Sequence, residues 1–435
     1  MILEKCRLKK SEVFSALLVT VLGSGLSKLI LVGVTFYCTN MLSKEGFGEL
    51  SFVRNTLQMI LCLCVANFIN LCTKYVAELF TQQRSGSKLL LLFFFSLSIC
   101  VLFSILMNVL SDSQILSFVH SVNLIYFFRV IGLLLPLFML QPLIEGVFRG
   151  LKEFKTIGVL QVLTSLFFVL CVILGIKISS TKGAIIGVLL YYAFYSIVSL
   201  LVLSRKINIF SSIRKYYNGI YKEFSTLYKV ILPVFLLSFI DAPINWWAQV
   251  YMSRIEGMES IASMTVILQI RNMVLLLPTY YFSTLTTFVA RQNAEGNQIA
   301  YYSKFNKSIR LLLLFSISGV LLLQIFDHFI LNLFGTEYTN EIWGYFISNL
   351  AIPFLVIANL LKVDLVVREF QRFLLLSSLI SSAMFIFTLY FFVYIGYSTV
   401  DSYFIGQFVQ VIIILIMCAS IYVQGFLEFK RQHSC

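Results

Sequence analysis

Twelve stretches of predominantly apolar residues recur along this chain, at 13–38, 47–72, 88–110, 122–143, 156–176, 183–204, 229–252, 260–289, 308–333, 341–362, 372–396 and 401–427. Each supplies the roughly 20 residues that carry a helix across about 30 Å of hydrocarbon. No soluble core absorbs that many. Of all residues, 59% are hydrophobic and only 12% are charged, and the mean hydropathy is +0.91. The expected fold is therefore an all-α polytopic membrane protein of about twelve transmembrane helices. The division between the fifth and sixth stretches is the least marked. The first stretch follows a basic stub from Lys5 to Lys10. It is too long for a signal-peptide core and no small-residue cleavage site follows, so it is expected to persist as a helix.

The loops carry the orientation. Of 33 Lys and Arg, 25 lie in segments 1–12, 73–88, 144–155, 205–229, 290–310, 362–372 and 428–435. The intervening loops hold only Lys44, Lys177, Lys182 and Arg254. Basic residues concentrate on the cytoplasmic side, which places both termini there. The net charge of +13 is thus mostly topology and implies no nucleic-acid partner. The longest loop, 205–228, separates an expected N-terminal six-helix lobe (1–204) from a C-terminal one (229–435). With six spans each, both lobes begin in the cytoplasm, so a duplication relates them by a pseudo-two-fold axis along the membrane normal. Met41-x-x-x-Glu45-Gly46 after the first stretch matches Met252-x-x-x-Glu256-Gly257 after the seventh. Glu145-x-x-x-Arg149 matches Asp364-x-x-x-Arg368 at the cytoplasmic ends of stretches four and ten. Acid then Arg at i,i+4 makes an intrahelical pair.

Four cations, Lys28, Arg54, Arg129 and Arg271, lie inside the apolar stretches, against one acid at comparable depth, Asp241. An intramembrane charge costs several kcal/mol and faces a cavity or a partner. By helical rise, Arg54 and Arg129 lie about 10 Å from the outer ends of their spans and Lys28 and Arg271 about 15 Å. Four helices thus offer positive charge in the outer half or midplane, which suits an anionic cargo. Arg129 is shallow enough to snorkel instead. Gln58 extends the polar stripe of Arg54, and Gln269 and Asn272 flank Arg271. In the seventh stretch Ser238, Asp241, Asn245 and Gln249 share one helical face, with Pro233 and Pro243 favouring a bend. Asp241 either carries a coupling proton or pairs with Arg271 or Lys28. Trp246 and Trp247 serve as interface anchors or as sugar partners. The glycines of the first stretch and Pro136, Pro142 and Gly146 of the fourth serve packing or hinging.

Other chemistry lacks its residues. The outer loops are about a dozen residues or shorter, there is no P-loop pattern, and no nucleophile or metal-ligand spacing occurs. Cys62 and Cys64 lie on opposite sides of a helix. No enzyme activity, cofactor or metal is expected. A transporter driven by an ion gradient or by substrate flow is.

Three local patterns carry a family resemblance. Leu42-Ser-Lys-Glu-Gly46-Phe-Gly48-Glu-Leu-Ser-Phe52, Glu145-Gly-Val-Phe-Arg149-Gly150-Leu-Lys-Glu-Phe154 and Leu333-Phe-Gly335-Thr-Glu-Tyr338 occur in the order and topology of the polysaccharide-transport branch of the MATE-like exporter superfamily. The chain resembles bacterial O-antigen flippases over essentially its whole length. The resemblance implies two lobes around a central cationic cavity. It also implies outward transfer of an undecaprenyl-diphosphate-linked oligosaccharide across the inner membrane. Related lipid II flippases use basic residues of spans one, two and eight, the spans of Lys28, Arg54 and Arg271. Lys28 stands where Arg is usual, and an ammonium lacks the bidentate fork. Arg129 is a further diphosphate candidate. Asn245, Gln58, Gln269 and Asn272 are candidate cavity polar residues. A polymerase and a chain-length regulator are the implied protein partners. Two competing readings are a multidrug or cation exporter, which generally needs an acidic cavity, and a membrane polymerase or ligase, which needs a sizeable outer loop.

Overall fold

Apolar runs this long become helices because hydrocarbon offers no partner for backbone N–H and C=O groups, so each segment bonds to itself. The computed structural model describes residues 10–65, 68–82, 86–119, 121–206, 223, 231–294, 298–368 and 370–433, and most of the 205–228 linker lies outside them. Apart from short turns, the regular elements among the described residues are all helical. They are α1 (Lys10–Met41), α2 (Lys44–Val65), α3 (Phe68–Gln82), α4 (Gly86–Val109), α5 (Asp112–Val119), α6 (Val122–Phe138), α7 (Leu140–Gly150) and α8 (Phe154–Lys206). There follow α9 (Leu232–Glu256), α10 (Met258–Ala294), α11 (Gln298–Ile325), α12 (Asp327–Phe334), a 3₁₀ turn (Thr336–Glu341), α13 (Ile342–Val367), α14 (Gln371–Ile395) and α15 (Thr399–His433).

Among the described residues, eight helices are long and apolar enough to cross a bilayer, or nine if Lys44–Val65 and Phe68–Val76 form one span. The 53-residue α8 holds two of the predicted spans. Ser179 (φ −147°, ψ 26°) and Ser180 (φ 48°, ψ −125°) leave the helical region, and the chain folds back there. Phe167 then stacks on Phe194 with ring centroids 3.9 Å apart. The weakest sequence boundary is therefore a two-serine break. The fourth span runs on from α6 into α7 through Met139, which keeps helical dihedrals (φ −63°, ψ −22°), with Pro136 and Pro142 on either side.

The surface is apolar. Leu102, Val109, Leu314 and Ile325 are 64, 77, 71 and 70% exposed, which suits lipid and would be an aggregation hazard in water. The interior uses small residues instead. Ser96, Ser165, Ser196, Ser263, Ser316 and Ser377 are fully buried, and several, such as Ser165 to the Val162 carbonyl at 2.8 Å, bond to their own helix. Small side chains let helices approach closely. At Gly23 a Cβ would stand 2.9 Å from the Gly158 Cα, and at Gly187 it would stand 2.9 Å from the Cys171 carbonyl oxygen.

The chain forms two compact units, Met1–Trp246 and Trp247–Cys435, and the division falls within α9. The units repeat internal contacts. In the first, Gly46 sits against Thr181 at the start of the second half of α8. In the second, Glu256 accepts bonds from the Thr399 amide (2.8 Å) and hydroxyl (2.5 Å) at the start of α15. Glu49 accepts from Ser121 at 2.6 Å in the first unit, and Glu341 from Ser263 at 3.1 Å in the second. Both pairs link the second span of a unit to the start of its fourth.

The three family patterns have physical roles here. Gly146 and Gly150, one turn apart, let α7 lie directly on Ile69, Cys72, Thr73 and Val76 of α3, and Thr73 donates to the Gly146 carbonyl at 3.1 Å. Gly335 (φ 130°) makes a turn that Tyr338, 2% exposed, covers. Gly46 admits Thr181, and Phe47 fills the adjoining core at 2% exposure.

Candidate functional site

Arg54 sits on α2 and is half-buried, and its Nε is fully buried with no hydrogen-bond partner among the described residues. Tyr192, from the second half of α8, and the thiol of Cys38 on α1 lie within electrostatic reach of it. The Tyr192 hydroxyl in turn meets the Gln58 side chain, one turn after Arg54. Arg54 and Gln58 are thus linked through a phenol that spacing alone did not single out.

Arg271 lies on α10 at 9% exposure, with an equally unpartnered, buried Nε. Its Nη1 donates to Gln407 Oε1 at 2.7 Å. Gln407 Nε2 donates to the Tyr403 hydroxyl at 2.7 Å. Both partners come from α15. Sequence reasoning missed them, although Thr399, Tyr403, Gln407 and Gln410 form a polar row at spacings of four, four and three. Each unit therefore places a Tyr of its sixth span and a Gln near an Arg of its second span, the Gln coming from the Arg's own helix in the first unit and from the sixth span in the second. Neither Arg54 nor Arg271 has a carboxylate partner among the described residues. Removing a guanidinium from water without a counter-charge is costly.

The remaining expected site residues are placed as follows. Lys28 is exposed on α1. One turn earlier, Ser24 donates to Gln161 Oε1 at 2.5 Å and Ser27 donates to the Gln161 carbonyl at 3.1 Å, so Lys28 projects from a helix fixed on α8. Arg129 pairs with Asp112 at 2.5 Å and also donates to the Asn108 carbonyl at 3.4 Å. Its charge is compensated by the first residue of α5. Gln58 and Asn272 are exposed, Asn245 and Gln269 half-buried, and Gln249 buried. Asp241 lies on α9, and its side chain falls outside the described residues.

The tandem tryptophans part company. Trp246 donates its Nε1 to the Thr56 hydroxyl at 2.8 Å, half a turn beyond Arg54, and its ring tilts against Phe52. Trp247 stacks on Tyr251 at 5.6 Å and meets Tyr390 at 5.2 Å.

Both helix-end pairs form. Arg149 meets Glu145 at 2.6 Å and Arg368 meets Asp364 at 2.9 Å, each at i,i+4. The second is far more enclosed. Asp364 is fully buried and accepts from the Tyr301 hydroxyl, while Arg368 donates to the Tyr302 hydroxyl at 2.9 Å and lies 5.4 Å from both ring centroids.

Comparison with solved structures identifies the fold. An inward-facing multidrug resistance MATE family transporter of the MOP superfamily matches with a TM-score of 0.77 at 14% identity, over 97% of this chain and 100% of that one. A MOP superfamily transporter from Pyrococcus furiosus, described as having a binding pocket of reverse polarity that suggests a different function, matches at 0.69 and 15%, over 95% of each chain. A Vibrio cholerae MATE transporter matches at 0.68 and 13%, over 96% of this chain and 98% of that one. A search of curated protein sequences finds no match. The sequence model of the polysaccharide biosynthesis protein family matches residues 14–288, more than half of the chain. The protein is a multi-pass membrane protein with the MATE-like fold and belongs to the polysaccharide biosynthesis protein family.

Proposed function

We propose that this protein is a flippase. It moves undecaprenyl-diphosphate-linked O-antigen or related polysaccharide repeat units from the cytoplasmic to the periplasmic leaflet of the inner membrane, by alternating access, with both termini cytoplasmic. The observation that carries the reading is the buried guanidinium in each unit, Arg54 and Arg271, whose Nε donors lack partners. A diphosphate supplies the missing acceptors, and Arg binds phosphate oxygens in a fixed fork. Lys28 adds a point charge. Gln58, Asn245, Gln269 and Asn272 offer amides to sugar hydroxyls, and Asp241 is the candidate coupling group. The lipid tail stays in the bilayer, and the polymerase and chain-length regulator of such a pathway receive the product.

Membership in a polysaccharide biosynthesis family supports this cargo class. The MATE-like fold supports transport but does not select the cargo. Drug export has one observation in its favour, the multidrug resistance transporters among the similar structures. The sign of the buried charge argues against it, because an organic cation gains nothing beside Arg54 and Arg271. Reverse pocket polarity suggests a different function for the Pyrococcus furiosus transporter.

The test is transport by the purified protein in liposomes, comparing an undecaprenyl-diphosphate oligosaccharide with a cationic dye. Outward movement of the glycolipid and none of the dye supports the reading. Dye export without glycolipid movement replaces it with the exporter.

A further inference from the structure

Arg271 is held by an amide where a carboxylate would fit. Its Nη1 lies 2.7 Å from Gln407 Oε1, the separation of a charge-assisted hydrogen bond. Because a guanidinium can only donate, the oxygen of Gln407 must face it and the amide nitrogen must face away. That nitrogen meets the Tyr403 hydroxyl at 2.7 Å, one turn earlier on α15. The phenol is fully enclosed, at 2% exposure, and its ring is packed edge-on against Phe385 and Phe404. The chain Phe385–Tyr403–Gln407–Arg271 therefore runs from rigid packing to the cation and fixes its direction.

The choice of amide has an electrostatic consequence. Glu at position 407 would make a buried ion pair and cancel the charge of Arg271. Gln orients the same group and leaves its charge intact. The N-terminal unit brings the same residue types together in another order, with Tyr192 near Arg54 and Gln58 bonded to Tyr192.

We propose that Gln407 is a positioning residue, set by Tyr403, that aims Arg271 while keeping it uncompensated for the diphosphate of the cargo. This rests on the flippase reading. It adds a requirement to that reading, that the partner of Arg271 be neutral.

The experiment is binding of undecaprenyl diphosphate in vesicles by the full-length protein, as wild type, Arg271→Ala, Gln407→Glu and Gln407→Leu, each with a thermal melt. A merely structural role for Gln407 predicts that Gln407→Glu binds as wild type, because a carboxylate accepts from Arg271 at least as well. The positioning role predicts the opposite pattern. Gln407→Glu melts at or above the wild-type temperature yet binds at least about tenfold more weakly, since the new ion pair satisfies the cation. Gln407→Leu, which removes the aim but not the charge, also loses affinity and gives an independent check if the Glu variant fails to fold. Wild-type affinity in either folded Gln407 variant, with Arg271→Ala impaired, overturns the inference and leaves the flippase reading standing. Absence of binding by wild type overturns both.

Discussion

Gly175 and Gly183 meet backbone to backbone across the two halves of α8, and a Cβ on either would overlap the carbonyl of the other. Gly187, one turn on, also lies close, and a Cβ there would stand 2.9 Å from the Cys171 carbonyl oxygen. In lipid no hydrophobic drive pulls helices together, so close backbone contact and dispersion must do it. The fifth and sixth spans pack as a hairpin only because these three positions lack side chains.

Gly183→Val should therefore cost more than about 3 kcal/mol by overpacking against an unyielding backbone. In detergent it should appear as a large loss of monodisperse protein. The same substitution at Gly25, where a Cβ meets nothing within 4 Å, should be tolerated. Equal yields of the two variants would refute the seam.

The two helix-end ion pairs look alike in sequence and should differ in weight. Arg149 and Glu145 are 44 and 12% exposed, whereas Arg368 and Asp364 are 16 and 0% exposed. Arg149→Ala should cost about 0.5 kcal/mol, as solvated i,i+4 pairs do. Arg368→Ala strands a buried carboxylate and should cost about 3 kcal/mol or more. Thermal melts of the two variants decide it, and similar melting temperatures would count against this reading of Asp364.

Trp246 and Thr56 should be coupled. Trp246→Phe keeps most of the ring and removes the 2.8 Å bond to Thr56, at about 1 kcal/mol. Thr56→Val should cost about the same, and the double variant should cost less than the two single losses added. Strict additivity would show that the bond contributes nothing.

Arg129 is the intramembrane cation expected to be dispensable. Asp112 already neutralises it at a half-exposed site, so Arg129→Ala should keep transport within about twofold of wild type. A collapse as deep as that of an Arg54 or Arg271 variant would put Arg129 back among the cargo ligands.

Much of this was legible in the residues. Apolar length gave the helices because lipid enforces them, and the positions of Arg54 and Arg271 marked them as costly. Both i,i+4 pairs follow from helical geometry alone. What spacing could not supply was contact between distant helices. Tyr192 and Gln407 reach Arg54 and Arg271 only through the return of α8 and α15. Asp112 reads as a loop acid until α5 and α6 bring it to Arg129. Trp246 and Trp247 read as one anchor, yet neighbours on a helix point about 100° apart and find different partners. The break at Ser179–Ser180 was faint because no Pro or long polar loop marks it.

The most direct measurement is flipping of an undecaprenyl-diphosphate oligosaccharide in proteoliposomes by wild type, Arg54→Ala and Arg271→Ala, each shown to be folded. The account predicts transport by wild type and at least about a tenfold loss in both variants, the scale of one phosphate–guanidinium contact. Wild-type rates in both folded variants would contradict it and remove Arg54 and Arg271 from the transport path.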